Sequence, residues 1–287
     1  MTHIAILSAG EMGAAIGAAL TAEGHAVATC LEGRGGETRD RAAEAGLRDV
    51  PLEDLVTGCD LFLSILPPAD ALGLATQVAG IAGRSGAAFA YVDCNAISPE
   101  TAAAVAACFE ETAVTFVDAG VVGMPPSGGR RPRLYVSGPD VPALRRLDGV
   151  AVDLRPLGED IGKASALKMS YASITKGVNA LLLAAFQTAE AHELLDDLAE
   201  ELGQSQPELF SRAESSIPSL PADAGRWVAE MRQIAETYAR AGQPAGFHDA
   251  AAEVMERLAT SPYGAETRRT RDRSRDMRAT IRGLKDV

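Results

Sequence analysis

The sequence predicts an α/β fold: a doubly wound, mostly parallel sheet clothed in helices, followed by a second, all-helical domain. Three observations carry that prediction. Short apolar runs alternate with segments of helical period from residue 3 to about 118, a turn of small residues joins the first run to the first helix, and from about Ala164 strand signals give way to Ala-, Leu- and Glu-rich stretches. A chain of 287 residues can bury two cores, and the expected division is 1–161 and 162–287.

The elements follow in order. His3 to Leu7 is an apolar strand, after which Met12, Ile16, Ala19 and Leu20 recur at helical spacing, and Gly24-His25 turns the chain into a second strand over Ala26 to Leu31. Thr38 to Ala45 reads as helix, Leu61 to Leu66 as a strand stopped by Pro67-Pro68, and Ala69 to Ala82 as helix. Ala88 to Val92, Pro99 to Phe109 and Thr115 to Asp118 continue as strand, helix and strand. Residues 164–202 contain no proline and one interior glycine, Gly177, which predicts one long helix or a kinked pair. Proline and serine between Ser205 and Pro221 break that run, and Gly225 to Ala241 and His248 to Ala259 read as further helices.

Composition narrows the function classes. The net charge of −12 disfavours nucleic acid and anionic membrane surfaces as partners. No stretch reaches the roughly 18 consecutive apolar residues of a membrane span, and the opening residues resemble a first strand rather than a signal peptide. The expectation is a soluble, cytoplasmic protein. Cys30, Cys59, Cys94 and Cys108 lack metal-ligand spacing and are expected to be reduced thiols, with no metal bound. The arginine-rich stretch from Arg268 to Lys285 is expected to dock on the acidic body rather than act as an anion-binding arm.

The turn Ser8-Ala9-Gly10-Glu11-Met12-Gly13 stands where a dinucleotide fingerprint of glycines would, with serine in place of the first glycine. It follows a strand and opens a helix, so the helix N-terminus can hold a pyrophosphate; Gly10 lets the backbone approach the phosphates and Gly13 lets helix and strand pack closely. This makes the sheet Rossmann-type. Glu32, 19 residues after Gly13, is placed to bond an adenosine ribose hydroxyl, which favours NAD. Arg34, Thr38 and Arg39 follow at once and could instead grip a 2′-phosphate. The cations outnumber the acid, so NADP is expected, with NAD possible.

Five stretches in order resemble the β-hydroxyacid dehydrogenase superfamily, which includes 3-hydroxyisobutyrate dehydrogenases, 6-phosphogluconate dehydrogenases and the related imine reductases. They are the loop with Gly10, Met12 and Gly13; Ser64-Ile65-Leu66-Pro67-Pro68; Asp93-Cys94-Asn95-Ala96-Ile97-Ser98-Pro99; Asp118-Ala119-Gly120-Val121-Val122-Gly123; and Gly162-Lys163-Ala164-Ser165-Ala166-Leu167-Lys168. The resemblance implies that Leu66, Pro67 and Asn95 lie beside the cofactor and that Val121, Val122 and Gly123 meet a small-molecule substrate. Gly120 stands in place of the family's proline, and Val122 in place of a serine that would contact a substrate carboxylate.

The same resemblance implies that Lys168 is the catalytic lysine. A lysine buried near a nicotinamide, with its pKa lowered, can take the hydroxyl proton as hydride leaves or return it in reverse. The family's asparagines three and four residues on are replaced by Tyr171 and Ala172. Residues 168, 171, 172 and 175 share one helical face, so Tyr171 and Thr175 can present hydroxyls beside Lys168, Tyr171 as a second catalytic candidate to assist proton transfer or shape the pocket, or else as a core residue, with Lys176 a weaker anion-binding candidate. His248 is expected to be a helix-start residue beside a capping Asp249, His192 to be at the surface, and Trp227, Met231 and Ile234 to be core or interface. Ala180, Ala184, Ala185 and Ala189 suit close helix packing in the homodimer common in the family. The expected activity is NAD(P)-dependent hydride transfer to or from a small hydroxy or oxo acid or a neutral analogue. The alternatives are an imine reductase, suggested by the apolar Val121-Val122 and Tyr171 although many of these lack the lysine, and a non-catalytic cofactor-binding protein.

Overall fold

The computed structural model describes residues 2–284 and divides into two compact units, one ending at Met169 and one beginning at Ser170. The division falls inside a helix rather than after residue 161, because the first turns of that helix are bonded to the sheet.

In the first unit, β1 (His3–Leu7), α1 (Glu11–Ala22), β2 (Ala26–Thr29), α2 (Gly36–Glu44), β3 (Arg48–Asp49), α3 (Leu52–Thr57) and β4 (Leu61–Ser64) come first. They are followed by α4 (Ala71–Ser85), β5 (Ala90–Asp93), α5 (Pro99–Ala107), β6 (Thr115–Val122), β7 (Arg133–Ser137) and β8 (Asp153–Pro156). The sheet order is β3-β2-β1-β4-β5-β6-β7-β8, parallel except where β7 runs antiparallel to β6. The order reverses direction between β1 and β4, the switch point at which such sheets bind ligands beyond their carboxyl ends.

Successive side chains leave the sheet on opposite faces. Ile4, Ile6, Leu61, Leu63, Val92 and Val117 fill one core layer, while Ala5, Phe62, Tyr91 and Phe116 fill the other. Phe62 and Tyr91 stack at 5.2 Å between ring centres. Local chemistry sets the helix ends: the Ser98 hydroxyl accepts from the Thr101 N–H ahead of Pro99, and Gly86, at φ 70°, closes α4 in the left-handed conformation. The stretch after Asp118 holds more sheet than periodicity revealed, since β6 continues to Val122 and β7 and β8 are short and carry charges on one face.

Within the second unit, α6 (Lys163–Ala191), which begins in the first, continues unbroken through Gly177. It stops short of residue 202, because Glu193 takes φ 61° and a separate α7 (Leu195–Ser205) follows. The proline- and serine-bearing stretch expected as a break contains α8 (Pro207–Ser216), started by proline at its first position, where no N–H is needed. Then come α9 (Pro221–Arg240), α10 (Gly246–Ala259) and α11 (Met277–Gly283).

The arginine-rich stretch docks on its own unit. Arg268 pairs with Asp223 at 3.0 Å, Arg275 with Glu266 at 2.6 Å while lying 3.8 Å over the Tyr263 ring, and Arg278 and Arg282 share Asp196. Lys285 lies outside the described residues. The four cysteines are free thiols. Among the described residues no helix is long and apolar enough to cross a membrane, and no cluster has the makings of a metal site.

Candidate cofactor and acid/base site

The loop from β1 into α1 has the features a dinucleotide pyrophosphate needs. Gly10 is the N-cap of α1 and, as glycine, brings no side chain to cap that end, which suits an anion at the helix's first turn. A Cβ on Gly13 would stand 2.0 Å from the Ser8 carbonyl oxygen, so only glycine lets α1 pack on the loop. A Cβ on Gly10 would meet nothing nearer than Ser8 Oγ at 4.0 Å, so the space over that residue is open. These residues fit a pyrophosphate. Glu11 is exposed and Met12 packs its side chain against the core.

The neighbouring strand ends are tied together. The Ser8 N–H donates to the Ile65 carbonyl at 3.2 Å, and the Leu66 N–H donates to Asn95 Oδ1 at 2.5 Å. Asn95 Nδ2 in turn donates to Ser64 Oγ at 2.9 Å. Asn95 is therefore buried, with both ends of its amide committed to the protein; it shapes the loop that presents Leu66 and the exposed Pro67. Beside it, Asp93 is fully buried. Its Oδ1 accepts the Asn95 N–H at 2.9 Å, and its Oδ2 has no partner. Burial pushes this carboxyl up to about 7, against the pull of the Asn95 bonds and with help from the charge of Asp118.

Past β2, Glu32 is exposed, and Arg34 and Thr38 are half-buried. Arg39 braces the loop itself: its guanidinium donates to the Leu31 carbonyl at 2.6 Å and the Arg34 carbonyl at 3.1 Å, and lies 3.9 Å from Asp49. Asp49 also accepts the Leu31 N–H.

Strand β6 meets the start of α6. A Cβ on Gly120 would stand 2.9 Å from Lys168 Cβ and 3.0 Å from the Ala164 carbonyl oxygen, so glycine here lets helix and strand approach. Lys168 is half-buried, and its Nζ donates to the Val121 carbonyl. Val121 takes part through that carbonyl, because its side chain lies in the core with Leu134. Val122 is buried on the Gly120 face of the strand, and Gly123, at φ 126°, is exposed.

The remaining candidates lie in the second unit. Tyr171 is 44% exposed, and the Thr175 hydroxyl bonds back to its own helix, to the Tyr171 carbonyl at 3.2 Å. Lys176 forms an ion pair with the buried Glu230 and sits 5.2 Å over the Trp227 ring, a structural setting rather than an open anion site. Asp249 caps nothing, since α10 begins at Gly246. His248 is instead buried edge-on against Tyr238 at 4.6 Å, and burial holds its ring below the usual histidine range. His192 is exposed, and Trp227, Met231 and Ile234 are buried. Sequence reasoning assigned no role to Asp93, Ser137 or Ser165; aspartate and serine at a strand end, or serine in a helix's first turn, carry no periodic signal that marks them as buried.

A switch-point loop with room for a pyrophosphate, on a parallel sheet whose β6 also carries a lysine-bearing helix start, defines a nicotinamide-cofactor-binding α/β protein. Residues 3–141 match the NAD-binding domain of 6-phosphogluconate dehydrogenase, and residues 189–258 match a domain of unknown function designated DUF1932. An uncharacterized 28.5 kDa protein from the 7S RNA 5′ region of Methanothermus fervidus is 31% identical over 189 residues, 64% of this chain and 70% of that one. A solved conserved protein of unknown function, described as structurally similar to 3-hydroxyacid dehydrogenases, is 30% identical with a TM-score of 0.63, covering 90% of this chain and 96% of its own. The Mycobacterium tuberculosis 3-hydroxyisobutyrate dehydrogenase, solved with L-serine, shares the fold at 21% identity and TM-score 0.67, covering 99% of both chains. The chain belongs to the β-hydroxyacid dehydrogenase superfamily as a divergent member, with a 6-phosphogluconate-dehydrogenase-type NAD-binding domain.

Proposed function

We propose that the protein is an NADP-dependent dehydrogenase or reductase for a small hydroxy or oxo compound, with Lys168 as general acid/base. The observation that carries this reading is the half-buried Lys168 amine, held at the Val121 carbonyl at the carboxyl end of the sheet. The first turn of α1 with Gly10 and Gly13 would hold the pyrophosphate, and Arg34 with Thr38 would hold a 2′-phosphate. Arg39 serves by bracing the loop they stand on. When bound, the nicotinamide supplies the hydride donor or acceptor. Lys168 would protonate the substrate oxygen on reduction and take the hydroxyl proton on oxidation.

Val122, where the resemblance would place a serine, brings no hydroxyl to this stretch of β6 and suits a substrate with less carboxylate character. The lysine favours this reading over imine reduction. Replacing Lys168 by Ala should leave NADPH affinity within about twofold and lower turnover by about a hundredfold or more in a screen of hydroxy and oxo compounds. Undiminished turnover in that variant rules out the role, and NADPH binding without turnover of any substrate makes the protein a non-catalytic binder. Comparing NADPH with NADH affinity, and repeating this with Arg34→Ala, tests the cofactor choice.

We further infer a homodimer through α6. Tyr171, Ile174 and Leu181 recur on one side of that helix and are 44%, 65% and 69% exposed, more apolar surface than a helix ordinarily leaves in water. Light scattering at micromolar concentration tests this, and a monomer excludes it.

A further inference from the structure

We propose that Asp118 is the positioning residue for Lys168, clamping the first turn of α6 so that the amine is held at the Val121 carbonyl; this rests on the acid/base reading of Lys168. The side chain of Asp118 is fully buried and accepts four bonds. Oδ2 takes the Gly162 N–H, the Ser165 N–H and the Ser137 hydroxyl, each at 3.0 Å, and Oδ1 takes the Ser165 hydroxyl at 2.6 Å. Ser137, on the neighbouring β7, completes the clamp by accepting the Ala164 N–H at 3.0 Å. Three N–H groups at the start of α6, which a helix cannot satisfy by itself, are thus bonded by two side chains of the sheet.

The rest of the attachment lies on the same four residues of β6. Asp118 and Gly120 leave the strand on one face, so the residue that ties the helix down is followed at the next same-face position by the one that gives it room. Val121, one residue on, supplies the oxygen that Lys168 reaches one turn into the helix. Asp118, Gly120 and Val121 therefore fix the helix at its first turn, its closest approach and its functional side chain. A rotation or slide of α6 cannot occur without breaking the carboxylate's bonds. Asp118 touches neither cofactor nor substrate in this scheme and acts through Ser165 and the helix backbone.

The experiment uses the full chain with Ser165→Ala, which removes one bond to Asp118 and keeps the backbone ones, and Asp118→Asn as the stronger variant. Lys168 is read directly, as its rate of acylation by acetic anhydride across a pH series, measured by peptide mass spectrometry against the exposed Lys163 as internal reference. Ser165→Ala is expected to raise the Lys168 rate relative to Lys163 by about fivefold, the worth of one hydrogen bond, with NADPH affinity kept. A lowered melting temperature with unchanged Lys168 acylation overturns the proposal, because a merely structural clamp would lower stability and leave the amine as it was. Ser165→Ala folds even if Asp118→Asn does not. Because the labelling reads the amine itself, it is separate from the turnover of Lys168→Ala, which tests the acid/base role.

Discussion

Asp93 and Asp118 are register partners, Asp93 at the carboxyl end of β5 and Asp118 midway along β6, both fully buried, yet Asp118 accepts four bonds while Asp93 keeps an oxygen without a partner. The consequence is a pH dependence of stability. In the unfolded chain the Asp93 carboxyl ionises near its ordinary 3.8, whereas in the fold it does so only at about 7. Between those values the native state holds a proton that the unfolded state has lost, so stability falls as pH rises, by up to roughly 1.4 kcal/mol per unit, and levels off above about 7. Asp93→Asn should remove this slope. Denaturant titrations of both proteins at pH 5 and pH 8 would show it, and an equal pH response in the two would refute it.

Gly10 and Gly13 should respond differently to alanine. Gly13→Ala forces a methyl group onto the Ser8 carbonyl and is expected to cost about 1–3 kcal/mol of stability along with cofactor binding. Gly10→Ala has room and should melt like the parent while losing cofactor affinity, because its methyl occupies the open space. Thermal melts with NADPH titration of each variant separate the two effects.

Much of this half of the molecule could be read from the chain. The strands from His3 to Asp118 follow apolar runs bounded by glycine and proline, and the loop at Gly10 is visible by its position between strand and helix. The bracing of Arg39 against Leu31 and Arg34, and the burial of Asn95, were not legible, since both depend on loops brought together by the sheet. Lys176 misled for the same reason: its partners Glu230 and Trp227 lie more than 50 residues away in the chain.

Gly120→Ala should destabilise by about 1–3 kcal/mol, since the new methyl meets Lys168 Cβ and the Ala164 carbonyl, and neither is the free end of a flexible chain. The loss should appear in thermal melts, with accelerated amide exchange in the first turns of α6. Unchanged exchange there would mean that the helix does not feel the strand.

Glu230 is buried between Lys176 and Arg226, its second partner at 2.9 Å. Glu230→Ala removes the buried carboxylate that Lys176 and Arg226 share and should cost about 3–5 kcal/mol, whereas Glu230→Leu combined with Lys176→Met should recover most of that. Chemical denaturation of the single and double variants measures the difference, and additive losses would contradict the pairing.

The bonds from Ser8 to Ile65, from Leu66 to Asn95 and from Asn95 to Ser64 lash three separate strand ends into one floor before any ligand arrives. Little ordering entropy is left to lose there when a dinucleotide lands. The segment around Glu32 and Arg34 is braced separately, by Arg39, so selectivity between dinucleotides can be retuned there without disturbing the ground on which the reacting ring would lie.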